Sequence, residues 1–305
     1  MYSTIDQPAK LALPSLAVIP PGNTRMRRLL DRARRLAGES APLLLRGEFG
    51  VGKHVLAGLV HQWGPHPQSP CIFVRVVSAH TSPALRDAVE RFRQSESKGT
   101  LVIEEIGELA LAQQGEILAL IAASEAGDAA ENSMAMGVKI IATTSADLSP
   151  VVKKREFRAE LFSLLMDEEL YLPPLRERPE DIALLAEQML AHFGLLYHRP
   201  GLSLEPEAKL ALARYPWPGN VHELRNAIER VVLAAKRREI GEADFHLRAT
   251  LDSGANRGGQ FLSIDAMEKQ HILRVMRATA TLEEAARILQ VDITTLWRKR
   301  RRYGI

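Results

Sequence analysis

The stretch Arg46-Gly-Glu-Phe-Gly-Val-Gly-Lys-His-Val55 constrains the chain more than any other. Gly47 through Lys53 carry the Gly-x-x-x-x-Gly-Lys spacing of a phosphate-binding loop. In such a loop glycines let backbone N–H groups turn toward phosphates at the start of a helix, and the lysine reaches the terminal phosphates. The setting agrees: an apolar strand at residues 43–45 enters the loop, and a helical pattern with Val55, Leu56, Leu59 and Val60 on one side leaves it. The candidate nucleotide-binding set is therefore Gly47, Glu48, Phe49, Gly50, Val51, Gly52, Lys53, His54 and Val55, with ATP or ADP as ligand. His54 stands where a hydrolysing loop usually has Ser or Thr.

The rest of the first half repeats this alternation. Apolar runs at 72–77, 100–103 and 138–142 are separated by amphipathic stretches such as 55–61 and 113–123, the rhythm of a parallel sheet covered by helices. Pro173 and Pro174 stop the last strand-like piece, and from Asp181 onward the pattern is helical, so an all-helical subdomain is expected to follow. Residues 249–260 are small, polar and Gly-rich, which reads as a linker, and helices are expected beyond it, the first around 263–279. No internal repeat is present. A hydrophobic fraction of 46% excludes wholesale disorder, and the single cysteine, Cys71, rules out an internal disulfide and suits a reducing cytoplasm. Pro14 interrupts the apolar run 11–20, which is not read as a secretion signal, and no run approaches the length of a membrane span. The net charge is only +3, but Arg298, Lys299, Arg300, Arg301 and Arg302 are consecutive, so basic character is local.

A phosphate loop needs a second, acidic half. Leu101, Val102 and Ile103 run into Glu104 and Glu105, where one carboxylate, Glu104, would hold magnesium and the other, Glu105, would polarise the attacking water. With the loop, these residues resemble the AAA+ ATPase domain of sigma-54-dependent, NtrC-like bacterial enhancer-binding transcription regulators. The resemblance is carried by GEFGVGK (47–53), GTLVIEEIGEL (99–109), VKIIATTSADL (138–148), LPPLRERPEDI (172–182) and YPWPGNVHELRNAIERVVL (215–233). It implies an α/β class: an AAA+ P-loop parallel sheet at 18–172 after a tail at 1–17, a helical lid subdomain at 173–248, the linker, and a small all-α helix-turn-helix domain at 261–305.

Departures from the family pattern cluster where the γ-phosphate would lie. The family's Asp-Glu pair is Glu104-Glu105, which displaces the metal-holding carboxylate by about an ångström. An Asn falls at Val77, and the Thr-Asn sensor becomes Thr144-Ser145, leaving Ser145 as the candidate. Of two arginines that reach the neighbouring subunit's phosphate, Arg158 is kept as the trans arginine finger and the other is Leu164. The sensor arginine after WPGNV is His222. Losing a trans-acting arginine alone costs on the order of 10³-fold in hydrolysis. Nucleotide binding is therefore expected to survive and hydrolysis to be weak or absent. The family's GAFTGA loop, which presses on the sigma-54 form of RNA polymerase, has no counterpart in residues 78–98, a shorter interval with a helical pattern at Leu85, Ala88, Val89 and Phe92. Action independent of sigma-54 is expected.

The end of the chain, 264–305, resembles a Fis-type helix-turn-helix. Leu282 to Leu289 would pack Ala285, Ala286 and Leu289 inward, and Asp292 would cap a second helix. On that helix Thr294, Thr295 and Arg298 would face the major groove, and Lys299, Arg301 and Arg302 would meet phosphates. Trp297 reads as a packing residue beside Leu296. The expected partners are duplex DNA at a roughly palindromic site, RNA polymerase, a second copy through the DNA-binding domain, a hexamer through the AAA+ domain, and a regulatory protein or homologous subunit, with no membrane. Only 46 residues precede the loop, and no separate sensor domain is expected among them. Three other readings stay open: an active sigma-54-type ATPase, a partner subunit lending Arg158 to a competent homologue, and an AAA+ replication initiator.

Overall fold

The period of two in the apolar runs decides which side of the sheet each residue covers. In the computed structural model, which describes residues 22–76, 83–95, 98–128, 137–245, 247, 272–273, 275–276, 281–289 and 291–303, five strands run parallel in the order β2-β3-β4-β1-β5. They are β1 (Leu43–Arg46), β2 (Cys71–Arg75), β3 (Gly99–Glu104), β4 (Val138–Thr144) and β5 (Glu169–Tyr171). Parallel pairing sets Leu45 beside Thr143 and Leu170, and Ile103 beside Ala142. Leu44, Leu101, Ile103, Ile140 and Ala142 face one layer. Leu43, Leu45, Val102 and Ile141 face the other.

Helices α3 (Pro83–Ser95), α4 (Leu111–Asp128) and α6 (Ala159–Asp167) cover the first face through Leu85, Phe92, Ile117, Leu161 and Leu165. The short α5 (Ser149–Lys153) follows β4. Helices α1 (Thr24–Leu36) and α2 (Lys53–Trp63) cover the second face through Ala33, Leu36, Leu56 and Val60. The expected strands and helices of this half are present. Val77 lies outside the described residues.

The lid comprises α7 (Pro179–Leu196), α8 (Pro206–Arg214) and α9 (Asn220–Ala234) around Phe193 and the fully buried Trp217, whose indole N–H donates to the Leu212 carbonyl at 2.8 Å. The expectation of an all-helical lid needs one correction: β6 (Ser203–Leu204) and β7 (Glu239–Ile240) form a two-stranded parallel pair. Helix α9 stops at Ala234, after which the chain extends toward β7.

A second compact unit spans residues 256–305. In it, residues 272–273 and 275–276 are helical, followed by α10 (Leu282–Ile288) and α11 (Ile293–Tyr303). Ile272, Val275, Ala285, Ala286 and Leu296 form its core, with Leu289 packed against it. The Thr281 hydroxyl accepts from the Glu284 amide and so caps α10. Trp297 is not the packing residue expected: it is 57% exposed, because a helix that buries Leu296 turns the next residue outward. The linker 249–260, the tail 1–17 and most of 263–279 lie outside the described residues.

Candidate nucleotide site

β1 ends at Arg46, and the loop that follows is held from both sides of the sheet. The Gly47 amide donates to the Thr144 carbonyl at 3.2 Å, and a Cβ at Gly47 would stand 2.7 Å from the Leu172 carbonyl oxygen. Gly50 has φ +77° and Gly52 φ +109°, conformations that side chains rarely adopt, and Gly52 forms the N-terminus of α2 without a side-chain cap. The first amides of α2 are thereby left for an anion. Val55 sits half-buried in the first turn.

Lys53 is buried, and its ammonium donates to the carbonyls of Gly47 (2.6 Å) and Glu48 (3.1 Å) and to Ser145 Oγ (2.8 Å), with Glu105 Oε1 at 3.9 Å. Burial pulls its pKa below the ordinary lysine value, while Glu105, Glu104 and Glu48 oppose that shift. Ser145 is the hub of the site. It donates to Glu105 from its amide (2.9 Å) and from its hydroxyl (2.7 Å). Glu105 itself has φ +57°, a left-handed conformation at a non-glycine that costs about 1–3 kcal/mol unless its surroundings fix it, and these two bonds do so.

His54 occupies the first turn of α2, stacks at 4.2 Å on Phe73, and its Nδ1 lies 2.7 Å from Glu104 Oε1. Burial raises the Glu104 carboxyl, but the His54 hydrogen bond and the charges of His54, Arg75 and Lys53 outweigh it, so its pKa lies below the ordinary value. The donor set fits magnesium. Glu104 is a hard oxygen ligand with one oxygen engaged, and magnesium takes one or two carboxylates together with phosphate oxygens rather than a protein cage. Among the described residues no group of three or more His, Cys, Asp or Glu forms such a cage.

The lid reaches the loop through residues to which the sequence reading assigned no role. The Arg176 guanidinium donates twice to Glu48, at 2.8 and 2.6 Å. Asn220, fully buried at φ +53°, donates to Glu48 (3.1 Å) and to the Phe49 carbonyl (2.9 Å) and accepts from the Leu175 amide (2.8 Å). The buried Arg178 donates to the Val51 carbonyl at 2.9 Å. Glu48, read as a phosphate-loop residue, is thus a lid contact, and the Arg176 hydrogen bonds hold its pKa below the ordinary carboxylate value. The His222 amide donates to the Gly50 carbonyl (3.2 Å), and its exposed ring meets Phe49 edge-on at 5.8 Å. The signal for these contacts was in LPPLRER and WPGNV, which contain Arg176, Arg178 and Asn220.

Arg158 is exposed. Its Nε donates to the Leu111 carbonyl (3.1 Å) and its amide to Gln114 (2.7 Å), and among the described residues it touches no loop residue. Leu164 packs against the apolar core.

The sequence matches family models described as the Sigma-54 interaction domain over residues 22–175, the AAA+ ATPase lid domain over 176–259, and the Fis family of bacterial regulatory proteins over 263–303. It is 38% identical over 301 residues to the alginate biosynthesis transcriptional regulatory protein AlgB of Pseudomonas aeruginosa, covering 92% of this chain and 66% of AlgB. The chain belongs to the NtrC-like family of enhancer-binding transcription regulators. Another of these regulators, NorR of Salmonella paratyphi B, the anaerobic nitric oxide reductase transcription regulator, is 29% identical over 94% of this chain and 62% of its own length. The chain thus spans about two thirds of the length of these relatives. The fold is also that of NtrX from Brucella abortus, solved in complex with ADP: TM-score 0.63 at 20% identity, over 95% of this chain and 69% of that one.

In the Fis-type unit, α11 carries Thr295, half-buried, and Arg298, exposed, with Lys299 partly exposed. The Leu296 amide donates to the Asp292 carbonyl at 3.0 Å, which places Asp292 at the start of the helix. The side chains of Thr294, Arg301 and Arg302 lie outside the described residues.

Proposed function

We propose that this member of the family is a DNA-binding transcription regulator whose AAA+ domain binds ATP or ADP, hydrolyses it weakly or not at all, and acts without sigma-54. The observation that carries the reading is the contrast between a complete loop and an incomplete surround. Gly50 and Gly52 hold their left-handed geometry and Lys53 is buried among acceptors that a phosphate would replace, yet Leu164 is an apolar side chain packed, partly buried, against the apolar core. An apolar side chain there cannot supply charge to a neighbour's γ-phosphate.

The pieces for water activation are present. Each Glu105 oxygen accepts one bond from Ser145, which orients the carboxylate and leaves lone pairs for a water, while Arg158 would act only on a neighbouring subunit. Magnesium, when bound, would neutralise phosphate charge beside Glu104. The family's usual dependence on sigma-54 is the reading to beat. Against it stands α3, which takes up 83–95 of the interval between β2 and β3 and buries Leu85, Ala88, Val89 and Phe92. Soluble, cytoplasmic action suits these roles, and no described helix is long and apolar enough to cross a membrane.

Calorimetric titration of ATP and ADP, with phosphate release measured on the same protein, tests the AAA+ part. Saturable binding that Lys53→Ala weakens at least tenfold is expected, with phosphate release at background in both proteins. Turnover well above background that Lys53→Ala abolishes would favour the active ATPase instead.

A further inference from the structure

Helix α1 reads Thr-Arg-Met-Arg-Arg-Leu-Leu-Asp-Arg-Ala-Arg-Arg-Leu and carries six arginines against one aspartate, Asp31. Its apolar side, with Ala33 and Leu36 buried and Leu29 and Leu30 packed behind them, lies on the sheet. All six arginines are exposed. Arg25, Arg28, Arg32 and Arg35 follow each other at i, i+3, i+7 and i+10, which places them in one row along ~15 Å of helix, while Arg27 and Arg34 lie about 120–140° round the helix from it, beyond the exposed Asp31.

Internal stability does not account for this row. Arg25 meets Glu177 at 3.4 Å and Arg32 meets Glu168 at 2.8 Å, both solvent-exposed pairs that contribute little. Arg27 donates to the Gly22 carbonyl at 2.9 Å, and Arg34 lies over the Trp63 ring at 5.4 Å. The Arg28 and Arg35 side chains have no hydrogen bond or ion pair among the described residues. Like charges three and four apart repel, and the first turn contains no acidic residue while Arg25 stands at the positive end of the helix dipole. A helix selected only to cover a sheet would be better with acids in that turn.

We infer that the arginine face of α1 is a second DNA-contacting surface, engaging backbone phosphates of the duplex held by the Fis-type unit of the same chain. Duplex DNA presents one negative charge per about 1.7 Å of axis, so a row of this length faces several phosphates at once. Guanidinium groups suit phosphate oxygens because their donors form a planar fork. Covalent connection to the helix-turn-helix raises the local concentration of bound duplex around α1, so weak phosphate contacts add to the total affinity. The inference rests on the DNA-binding reading proposed above.

The test uses the whole chain and a duplex carrying its binding site, compared as wild type, Arg28→Ala/Arg35→Ala and Arg298→Ala, with melting measured for each. Neither Arg28 nor Arg35 is tied down, so the double variant should melt with the wild type. Its slope of log affinity against log salt should be shallower by about 2 and its affinity several-fold lower, and hydroxyl-radical protection of backbone flanking the core site should disappear. Arg298→Ala should lose discrimination between this site and random DNA while keeping the flanking contacts. An unchanged slope and footprint in the double variant, with Arg298→Ala still defective, would overturn the inference and leave the regulator reading standing. Binding by the double variant that fails only toward an acidic protein surface would overturn it equally. No binding by wild type, or an Arg298→Ala protein identical to it, would count against the helix-turn-helix reading itself.

Discussion

Glu48 sits in the loop, and its side chain is taken up by the lid. Its two oxygens take both forks of Arg176, and one also takes the Asn220 amide, so a residue inside the loop reports on the position of the lid. The ion pair is well over a third exposed, which limits its worth to about 0.5–1 kcal/mol after solvent screening. Its pH dependence has a definite sign. The folded carboxyl has a lowered pKa, so the contribution is complete above the ordinary value of 4.5 and is lost as the pH falls through the folded value. Glu48→Gln should therefore be less stable than wild type by that amount at pH 7, and urea midpoints of the two proteins should converge as the pH is taken below 4.5. A constant gap between the midpoints would show that the carboxylate charge is not the source.

At the scale of elements, the contact between the phosphate loop and the start of α9 depends on close backbone approach. A Cβ on Gly50 would lie 2.3 Å from the Gly219 carbonyl oxygen and 3.0 Å from His222 Cβ, and φ +77° adds conformational cost. Gly50→Ala should push α9 away, breaking the bond from the His222 amide to Gly50 O. Amides at the start of α9 and in the loop should then exchange with solvent at least tenfold faster, while β3 and β4 keep their protection. Exchange accelerated everywhere would mean general destabilisation rather than lid release. The strands and loop were legible in the sequence because their signals are local: a period of two, a glycine spacing, an acidic strand end. The latch was not, since Glu48 meets Arg176 across 128 residues and Asn220 across 172, and no local pattern specifies such a meeting. Asn220 shows the limit well, because WPGNV marked it as part of a family motif while its value lies in an amide that satisfies three groups at a left-handed backbone position. Trp297 failed for the opposite reason, as hydrophobicity suggested burial where the helical phase set by Leu296 forbids it.

For the whole molecule, the question posed by the proposed reading, in which the chain acts without sigma-54, is what a bound nucleotide and a bound promoter do together. A family member that drives sigma-54 polymerase needs a projecting loop and a cycle of hydrolysis. This chain packs Leu85, Ala88, Val89 and Phe92 of α3 into the layer against the sheet, and Leu164, partly buried against that layer, stands where the resemblance puts the second trans arginine. On the proposed reading, occupancy of the site rather than turnover would alter the lid, through Glu48 and the Gly50–His222 contact. In a host deleted for sigma-54, transcription from promoters mapped by genome-wide binding should still change when the chain is expressed. The change should vanish with Arg298→Ala, chosen to impair the proposed DNA recognition, and should respond to Lys53→Ala, chosen to weaken the proposed nucleotide binding. A response lost on deletion of sigma-54, with promoter occupancy unaltered, would return the chain to the conventional activators of its family and locate the contact with polymerase on a surface other than the missing loop.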